Sequence, residues 1–305
     1  MLNLPKSLRF PLKIVGTLLL LILMGNIFQM SKSAFFPDPL AEENFFGMIR
    51  VPTNIAHRGA SGHYPENTML AFEKAVEKGA DVLELDVWLS QDDQVVVIHD
   101  ETVDRTTDGE GKVRDHTLDE LQALDAAYHF KLDDSYPYRG KGVKIPTLKE
   151  VLTEFDQKPV VVEVKKTGEQ MAAQVAEDIR KTEAEDRVLI ASMDAPTVQA
   201  LRKLLPDTAS AAGEGEALQF YLLSKLGLAG FIDWDFEGLF VPTRFMGLPV
   251  LTPPFRSAAR ANGIHIHVWT VNDPEEMESL LNMNTQGILT DYPGLLKDIM
   301  DQTME

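Results

Sequence analysis

Residues 82–99 read VLELDVWLSQDDQVVVIH and contain two apolar runs that are typical of β-strands, Val82–Leu89 and Val95–His99. The polar residues between them leave no room for a crossover helix, so we expect the two strands to pair as a hairpin. Glu84 and Asp86 stand two apart, which places both side chains on one face of the first strand. Two like charges on a buried face are costly unless a cation lies between them; a solvated strand face is the alternative.

On both sides of this stretch, from residue 51 onward, short apolar runs alternate with helix-like patterns, which indicates βα units and a parallel sheet. The other predicted strands are Asn54–His57, Val160–Val164, Arg187–Ala191, Thr208–Ala212, Gly238–Val241, Ile264–Thr270 and Gly287–Thr290. The predicted helices between them include Thr68–Lys78, Glu169–Lys181, Pro196–Leu205 and Pro274–Leu281. If one hairpin arm is an extension, eight strands remain, and the fold class is an α/β TIM (β/α)8 barrel.

Two segments fall outside this alternation. Residues 100–145 are polar and contain several glycines, and we interpret them as a segment inserted over the mouth of the barrel. At the N-terminus, basic residues at positions 6, 9 and 13 precede the apolar stretch Ile14–Phe28, so residues 1–30 are a transmembrane signal anchor or a signal peptide. Residues 31–50 are interpreted as a tether and residues 51–305 as the folded domain.

The anchor interpretation has consequences for localisation. The sequence around Ser31–Ser33 is a poor cleavage site, so we favour a membrane anchor that is not removed. The basic flank on its N-terminal side then places the folded domain outside the cytoplasm. A secreted or periplasmic domain, released by cleavage, is the alternative.

Composition excludes several classes of function. The chain has 29 Lys+Arg and 47 Asp+Glu, which gives a net charge of −18 and leaves no basic excess with which to bind nucleic acid. There is no cysteine, so disulfides, thiolate metal sites and a cysteine nucleophile are all excluded.

Carboxylates lie near the ends of predicted strands, where a barrel gathers its functional groups. Glu84, Asp86 and Glu163 form a set of oxygen ligands that favours a hard divalent cation, Mg²⁺ or Ca²⁺. For Glu163, a simple ion pair with Lys165 is the alternative.

Other groups in the same positions suit chemistry on a phosphate ester. His57 and His99 are candidates for general acid and base catalysis, because histidine titrates near neutral pH. Arg58 and Lys165 could hold phosphate oxygens and neutralise developing charge. Trp269 could form a wall for the glycerol or lipid part of a substrate, with ordinary barrel filling as the alternative.

Taken together, these motifs resemble the glycerophosphodiester phosphodiesterase family, over roughly residues 52–300 and in family order. The matching segments are His57–Gly59, Pro65–Thr68, Ala71–Phe72, Gly79–Asp81, Glu84–Val87, His99–Asp100, Arg105–Thr107, Pro146–Leu148, Glu163–Lys165, Trp269–Asn272 and Thr290–Pro293.

The resemblance implies a metal-dependent enzyme that hydrolyses glycerophosphodiesters to glycerol 3-phosphate and an alcohol. It implies that Glu84, Asp86 and Glu163 hold the metal and that His57 and His99 act as acid and base. A lysophospholipase D acting on lysophospholipids is the alternative within the class, because some membrane-bound relatives have that activity. The apolar stretch 220–255 could serve such an enzyme as a lid, or could be ordinary core. A non-catalytic, membrane-tethered binding domain is a more distant alternative.

Overall fold

The computed structural model describes residues 15, 19–28, 30–31, 44–165 and 168–304. The strands, numbered in chain order, are β1 Thr53–Ala56, β2 Val82–Leu89, β3 Val95–Val97, β4 Val160–Val164, β5 Val188–Ala191, β6 Ala209–Ser210, β7 Gly238–Val241, β8 Arg244–Phe245, β9 Leu248–Pro249, β10 His265–Val268 and β11 Gly287–Thr290. The α-helices are Asn44–Met48, Met69–Glu77, Leu118–Ala123, Leu148–Glu154, Gly168–Lys181, Ala195–Leu204, Glu214–Lys225, Pro253–Ala261, Pro274–Asn282 and Pro293–Met304.

Eight of these strands form a TIM-like parallel barrel that is nearly closed. They are hydrogen-bonded in the order β6-β5-β4-β2-β1-β11-β10-β7. The remaining gap, between β6 and β7, is spanned by a parallel bridge between Ala211 and Gly238, where the Ala212 amide donates to the Gly238 carbonyl at 2.8 Å. The fold class predicted from the alternating pattern is therefore confirmed for the barrel.

Strand β3 is the ninth predicted strand, and it pairs with β2 in antiparallel register, with Val87 opposite Val97. The hairpin prediction is confirmed. The strand ends at Val97, two residues earlier than predicted, although the Ile98 amide still donates to the Asp86 carbonyl of β2. His99 therefore lies just outside the ladder, and its carbonyl accepts from the indole nitrogen of Trp88 on β2.

Several helices begin at residues that the sequence marks as caps. The hydroxyl of Thr68 accepts from the Ala71 amide, and the carboxylate of Asp273 accepts from the Glu276 amide. Such contacts satisfy amide groups that a helix N-terminus otherwise leaves unpaired. The predicted starts of these two helices thus agree with the structure to within one residue.

The barrel interior is filled near the starts of its strands by the short helix Asn44–Met48. Phe45 and Phe46 of this helix are buried, and the Phe46 ring stacks on His265 with a centroid distance of 4.1 Å. The tether interpretation of residues 31–50 therefore does not extend to these residues, which belong to the packed domain. Residues 32–43 of the tether lie outside the described residues.

Residues 100–145 pack into a small core of their own against the hairpin. Val103, Val113, Leu121 and Ile145 are buried together with Val96 of β3. This core fixes the segment beside the end of β2, and so also fixes the acidic and basic side chains at its start.

Of the N-terminal segment interpreted as an anchor, residues 19–28 are helical and carry exposed apolar side chains. The Phe28 ring stacks on Phe231 of the domain at a centroid distance of 4.9 Å. Among the described residues, no helix combines the length and hydropathy required to cross a bilayer. Most of the other residues of the segment lie outside the described part of the chain.

Candidate active site

Three carboxylates meet because β2 and β4 are adjacent parallel strands. Asp86 stands in register with Glu163, and Glu84 lies two residues before Asp86 on the same face. Oxygen atoms of all three side chains lie within 4.8 Å of one another. Glu84 is only 3% exposed and Asp86 is fully buried. The solvated-face alternative for Glu84 and Asp86 is therefore excluded.

The pKa values of Glu84 and Asp86 are shifted in opposite directions. Burial, reinforced by the charges of Asp86 and Glu163, raises the pKa of Glu84 to about 7. Burial would also raise the pKa of Asp86, but the positive charges of Lys165 and Arg58 outweigh it and the pKa falls below its ordinary value. Asp86 is therefore ionised at neutral pH, whereas Glu84 ionises fully only when a further positive charge is nearby.

Two cations balance this cluster. The Lys165 ammonium lies 2.7 Å from Asp86 Oδ1 and 2.8 Å from Glu163 Oε1. Arg58 Nε lies 3.1 Å from Asp86 Oδ2. Glu163 and Lys165 therefore do form an ion pair, as the alternative interpretation expected. Lys165 binds Asp86 as well, so the pair is not an isolated one.

Arg58 also contacts the cluster through its backbone, because the turn after β1 brings its amide 2.8 Å from Glu84 Oε2. That turn contains two left-handed residues, Arg58 at φ 55° and Gly59 at φ 81°. A Cβ atom on Gly59 would lie 2.6 Å from the Ala71 carbonyl carbon, so the turn requires glycine here.

His57 leaves the end of β1 and is held by residues that follow β10 and β11. Its Nδ1 lies 2.7 Å from Asp291 Oδ1. The other carboxylate oxygen of Asp291 accepts a hydrogen bond from the side-chain amide of Asn272 at 2.6 Å. Ser61 also donates to Asp291 at 2.9 Å. Burial alone would lower the pKa of His57, but the hydrogen bond to Asp291 and the negative charges of Glu84 and Asp291 together outweigh it, and the pKa is raised.

His99 has a matching arrangement in a different part of the chain. Its Nδ1 lies 2.6 Å from Asp100 Oδ1, and Asp100 Oδ2 accepts from Arg105 Nε at 2.5 Å. Arg105 in turn binds Glu66 through both terminal nitrogens at 2.8 Å. Burial would raise the pKa of Asp100, but Arg105 and His99 together outweigh it and lower the pKa to about 2, so this carboxylate remains charged beside His99.

These groups open into one cavity of about 240 Å³ at the carboxyl ends of the strands. All of the residues predicted as site residues line it except Asp86, which lies behind them: His57, Arg58, Glu84, His99, Glu163, Lys165 and Trp269. Trp269 is partly exposed at the cavity wall, so the barrel-filling alternative for it is excluded.

Sequence reasoning assigned no role to the residues that hold the two histidines in place. Asp291 and Asp100 bind one ring nitrogen each, and Glu66 joins Arg58 to Arg105. Each of them stands inside a matching motif, but the contact between His57 and Asp291 spans 234 positions of the chain. The feature of the sequence that could have identified these partners is a carboxylate directly after a strand of the same barrel.

A second cavity of about 250 Å³ adjoins the first and is largely apolar. The two share four lining residues, Met193, Ala212, Phe240 and Trp269. Its remaining walls include Leu218 and Tyr221 of the helix Glu214–Lys225. Part of the stretch 220–255, interpreted from sequence as a lid or as ordinary core, is therefore core, and part of it is not. Phe220 and Phe236 are core residues, whereas others in the stretch border this cavity or the surface.

Comparisons with known proteins agree with this arrangement. Residues 57–295 match the model of the glycerophosphoryl diester phosphodiesterase family. A glycerophosphodiester phosphodiesterase of Caldanaerobacter subterraneus is 36% identical over 256 residues, which are 81% of this chain and 96% of the relative. A human lysophospholipase D is 28% identical over 272 residues, 81% of this chain and 85% of the relative.

Among solved structures, an Oleispira antarctica phosphodiesterase in complex with the product sn-glycerol 3-phosphate matches with a TM-score of 0.69 and 27% identity, over 82% of this chain and 97% of that one. The family match begins directly after β1 and covers the other barrel strands, including both histidines and the acidic cluster. The chain therefore belongs to the glycerophosphoryl diester phosphodiesterase family and is a phosphoric diester hydrolase.

Proposed function

We propose that this enzyme hydrolyses glycerophosphodiesters to glycerol 3-phosphate and an alcohol, with His57 and His99 as the acid and base. The observation that carries the proposal is that both histidines line one cavity beside the acidic cluster, each held through Nδ1 by its own aspartate. With Nδ1 occupied, Nε2 of each ring remains available to a substrate. One ring can then take a proton from the nucleophile while the other protonates the leaving alkoxide.

The donor set of Glu84, Asp86 and Glu163 fits a divalent cation, Mg²⁺ or Ca²⁺. Their oxygens are close enough to share one ion, and a cation bound there would offset the burial and the neighbouring negative charges that raise the pKa of Glu84. When bound, such an ion would polarise a phosphoryl oxygen and lower the pKa of a hydroxyl group.

Arg58 and Lys165 are proposed to bind the substrate phosphate. Both line the cavity and both carry charges beside Asp86. Cations placed there stabilise negative charge that develops on phosphoryl oxygens during bond cleavage. Trp269 would form the wall against which the organic part of the substrate lies.

The direct test is hydrolysis of glycerophosphocholine by the full chain, with EDTA, Mg²⁺ or Ca²⁺. We expect glycerol 3-phosphate only when a divalent ion is present, and at least a 10²-fold loss of kcat in His99→Ala. His116→Ala is the matched control, because His116 lies in a polar loop and lines neither cavity. Near-normal turnover by His99→Ala would exclude the proposed role. A cyclic phosphate product would identify the substrate's own glycerol hydroxyl as the nucleophile.

A second candidate substrate class is a lysophospholipid, which would make the enzyme a lysophospholipase D. The apolar cavity next to the catalytic groups supports it, because an acyl chain needs an apolar surface of this kind. The similarity to a human lysophospholipase D agrees with it. We expect Leu218→Glu to lower the ratio of kcat/KM for lysophosphatidylcholine to that for glycerophosphocholine by about tenfold. Leu295→Glu is the control, because Leu295 is an exposed leucine that lines neither cavity; an unchanged ratio in Leu218→Glu would exclude the acyl-binding role.

For localisation we propose a membrane-anchored chain with an extracytoplasmic catalytic domain. The apolar stretch Ile14–Phe28 and the basic residues before it support this. Retention of the full chain in the membrane fraction after alkaline carbonate extraction, together with protease access from the outside, is the expected result. A soluble, shortened product would instead indicate cleavage.

A further inference from the structure

Apolar side chains are concentrated on one part of the domain surface, at the end of the helix Glu214–Lys225 and on the β8–β9 hairpin. We refer to this surface as the apolar rim. It comprises Leu222, Leu226, Leu228, Phe231, Phe245, Met246 and Leu248, which are between 42% and 87% exposed. A cluster of seven exposed apolar side chains on a domain surface indicates an interaction surface.

The two parts of the apolar rim are joined. Leu218, Leu222 and Leu226 are spaced four residues apart, so their side chains share one face along the helix and into the turn that follows it. Between the helix and the hairpin, the Tyr221 hydroxyl donates to the Pro249 carbonyl at 3.4 Å. The Tyr221 ring also lies 6.2 Å from that of Phe245.

The rim borders the apolar cavity beside the catalytic groups. Leu218 and Phe245 line that cavity and are also among the exposed apolar side chains of the domain. The cavity therefore adjoins the rim at Phe245, where a hydrocarbon chain could pass from one to the other.

The other end of the rim meets the N-terminal apolar helix. Phe28 stacks on Phe231, and a Cβ atom on Gly25 would lie 2.8 Å from the Gly227 carbonyl oxygen, so the two segments are in close contact. Along this helix, leucines at positions 19, 20, 21 and 23 are each 56–61% exposed. Such a helix requires an apolar medium, and the medium that surrounds it would also reach the adjoining rim.

We propose that the apolar rim rests on the surface of a lipid bilayer, so that the domain itself contacts lipid in addition to any anchorage through the N-terminus. With a net charge of −18, the chain is repelled by anionic lipid, so the bilayer is expected to be zwitterionic. Lys225 and Arg244 stand at the edges of the rim, where long cationic side chains can reach lipid phosphates.

The absence of cysteine from the chain allows a direct test. A Met246→Cys variant of the full chain is labelled with an environment-sensitive fluorophore and mixed with phosphatidylcholine vesicles, some carrying a lipid-attached quencher. Met246 is 87% exposed at the hairpin tip and lines neither cavity. We expect a blue shift of the emission and quenching by the lipid-borne quencher, both weaker with phosphatidylserine vesicles.

The matched control is Met48→Cys. Met48 is also an exposed methionine, at 50%, but it lies on the helix that fills the opposite end of the barrel. If vesicles leave the label at 246 unchanged, or affect both labels equally, the proposal is wrong. A shift at 246 that appears without vesicles and grows with protein concentration would also overturn it, because a second copy would then cover the rim. The readout needs no turnover, so it is independent of the proposed reaction.

Discussion

Asp86 and Glu163 are register partners on adjacent parallel strands, and the ammonium of Lys165 binds both carboxylates at once, at 2.7 and 2.8 Å. The third acid, Glu84, receives only a backbone amide from Arg58 within this group. Positive charge is therefore unevenly distributed over the cluster, and Glu84 is the acid that lacks it. This asymmetry determines how a cation would compete with protons at the site.

Divalent cation affinity is expected to depend on pH through Glu84. The pKa of this carboxyl is raised to about 7, so below neutrality a cation must displace one proton. We expect the Kd to rise by about tenfold for each pH unit below 7 and to level off above it. Calorimetry in buffers of different ionisation enthalpy would count the proton released. A Kd that is constant between about pH 6 and 8 would contradict the assignment, and Glu84→Gln should remove the dependence.

The pH profile of activity is expected to shift when Asp291 loses its charge. The pKa of His57 is raised by its hydrogen bond to Asp291, so Asp291→Asn should move the limb of the profile that reports His57 to lower pH. A fall in kcat of about 10²-fold is expected as well, because the ring is no longer held in one orientation. Titration of the His57 ring protons by NMR provides the measurement. Ser61→Ala, which removes a neutral donor to Asp291, should shift the limb in the opposite direction, if at all.

Acid is expected to destabilise the barrel through two buried histidines. Burial lowers the pKa of His265 to about 4 and that of His267 to about 3, and their ring nitrogens have no hydrogen-bond partner among the described residues. Because these values lie below the unfolded value of about 6.5, the stabilisation is complete above that pH and is lost as the pH falls towards 4. Each histidine should cost about 2 kcal/mol at pH 5 relative to neutral pH.

The measurement is denaturant unfolding of the wild type and of His267→Leu at several pH values. Glu84 and His57 have raised pKa values and therefore contribute in the opposite sense over part of this range, so the difference between the two proteins is the informative quantity. We expect the wild type to lose stability relative to the variant between pH 6.5 and 4. Parallel curves would show that His267 is not held neutral.

Gly59→Ala is expected to destabilise the protein by about 3 kcal/mol and to reduce activity, because the new methyl group would meet the Ala71 backbone in the turn that carries Arg58. Gly140→Ala is a control for the backbone conformation alone. Gly140 has a similar positive φ of 69°, but no atom lies within 4 Å of its added Cβ, so a cost of about 1 kcal/mol is expected. Thermal unfolding would separate the two, and equal losses would exclude the close approach at Gly59.

The local sequence pattern was sufficient to predict the barrel strands. Val82–Leu89 and Val160–Val164 were predicted with their observed bounds, because each is an apolar run between polar turns that only the site acids interrupt. The helix Glu214–Lys225 was not predicted, because its buried and exposed apolar residues, such as Phe220 and Leu222, alternate without a clear helical period. Burial of Phe45 and Phe46 was also missed, since it depends on the barrel that they fill.

The catalytic candidates could be predicted from the sequence because Glu84, Asp86 and the two histidines are poor choices for a purely structural strand. Their partners could not be assigned by the same reasoning. Asp291 follows a strand as many structural aspartates do, and only closure of the sheet between β1 and β11 brings it to His57. Pairings of this kind depend on topology rather than on composition.

The narrow closure between β6 and β7 has a consequence for the evolution of substrate preference. At this seam the barrel is held by the Ala211–Gly238 bridge, and Ala211 and Ala212 also line the cavity that contains His57 and His99. Between the other neighbouring strands, a change in the width of the cavity would disturb several hydrogen bonds of the ladder. Strands β6 and β7 share few such hydrogen bonds. Enlarging or reducing these small side chains would alter the passage between the two cavities while the other strand pairs remain intact. Divergence between enzymes for small and for lipid-like diesters could therefore proceed through this seam, with the catalytic residues unchanged.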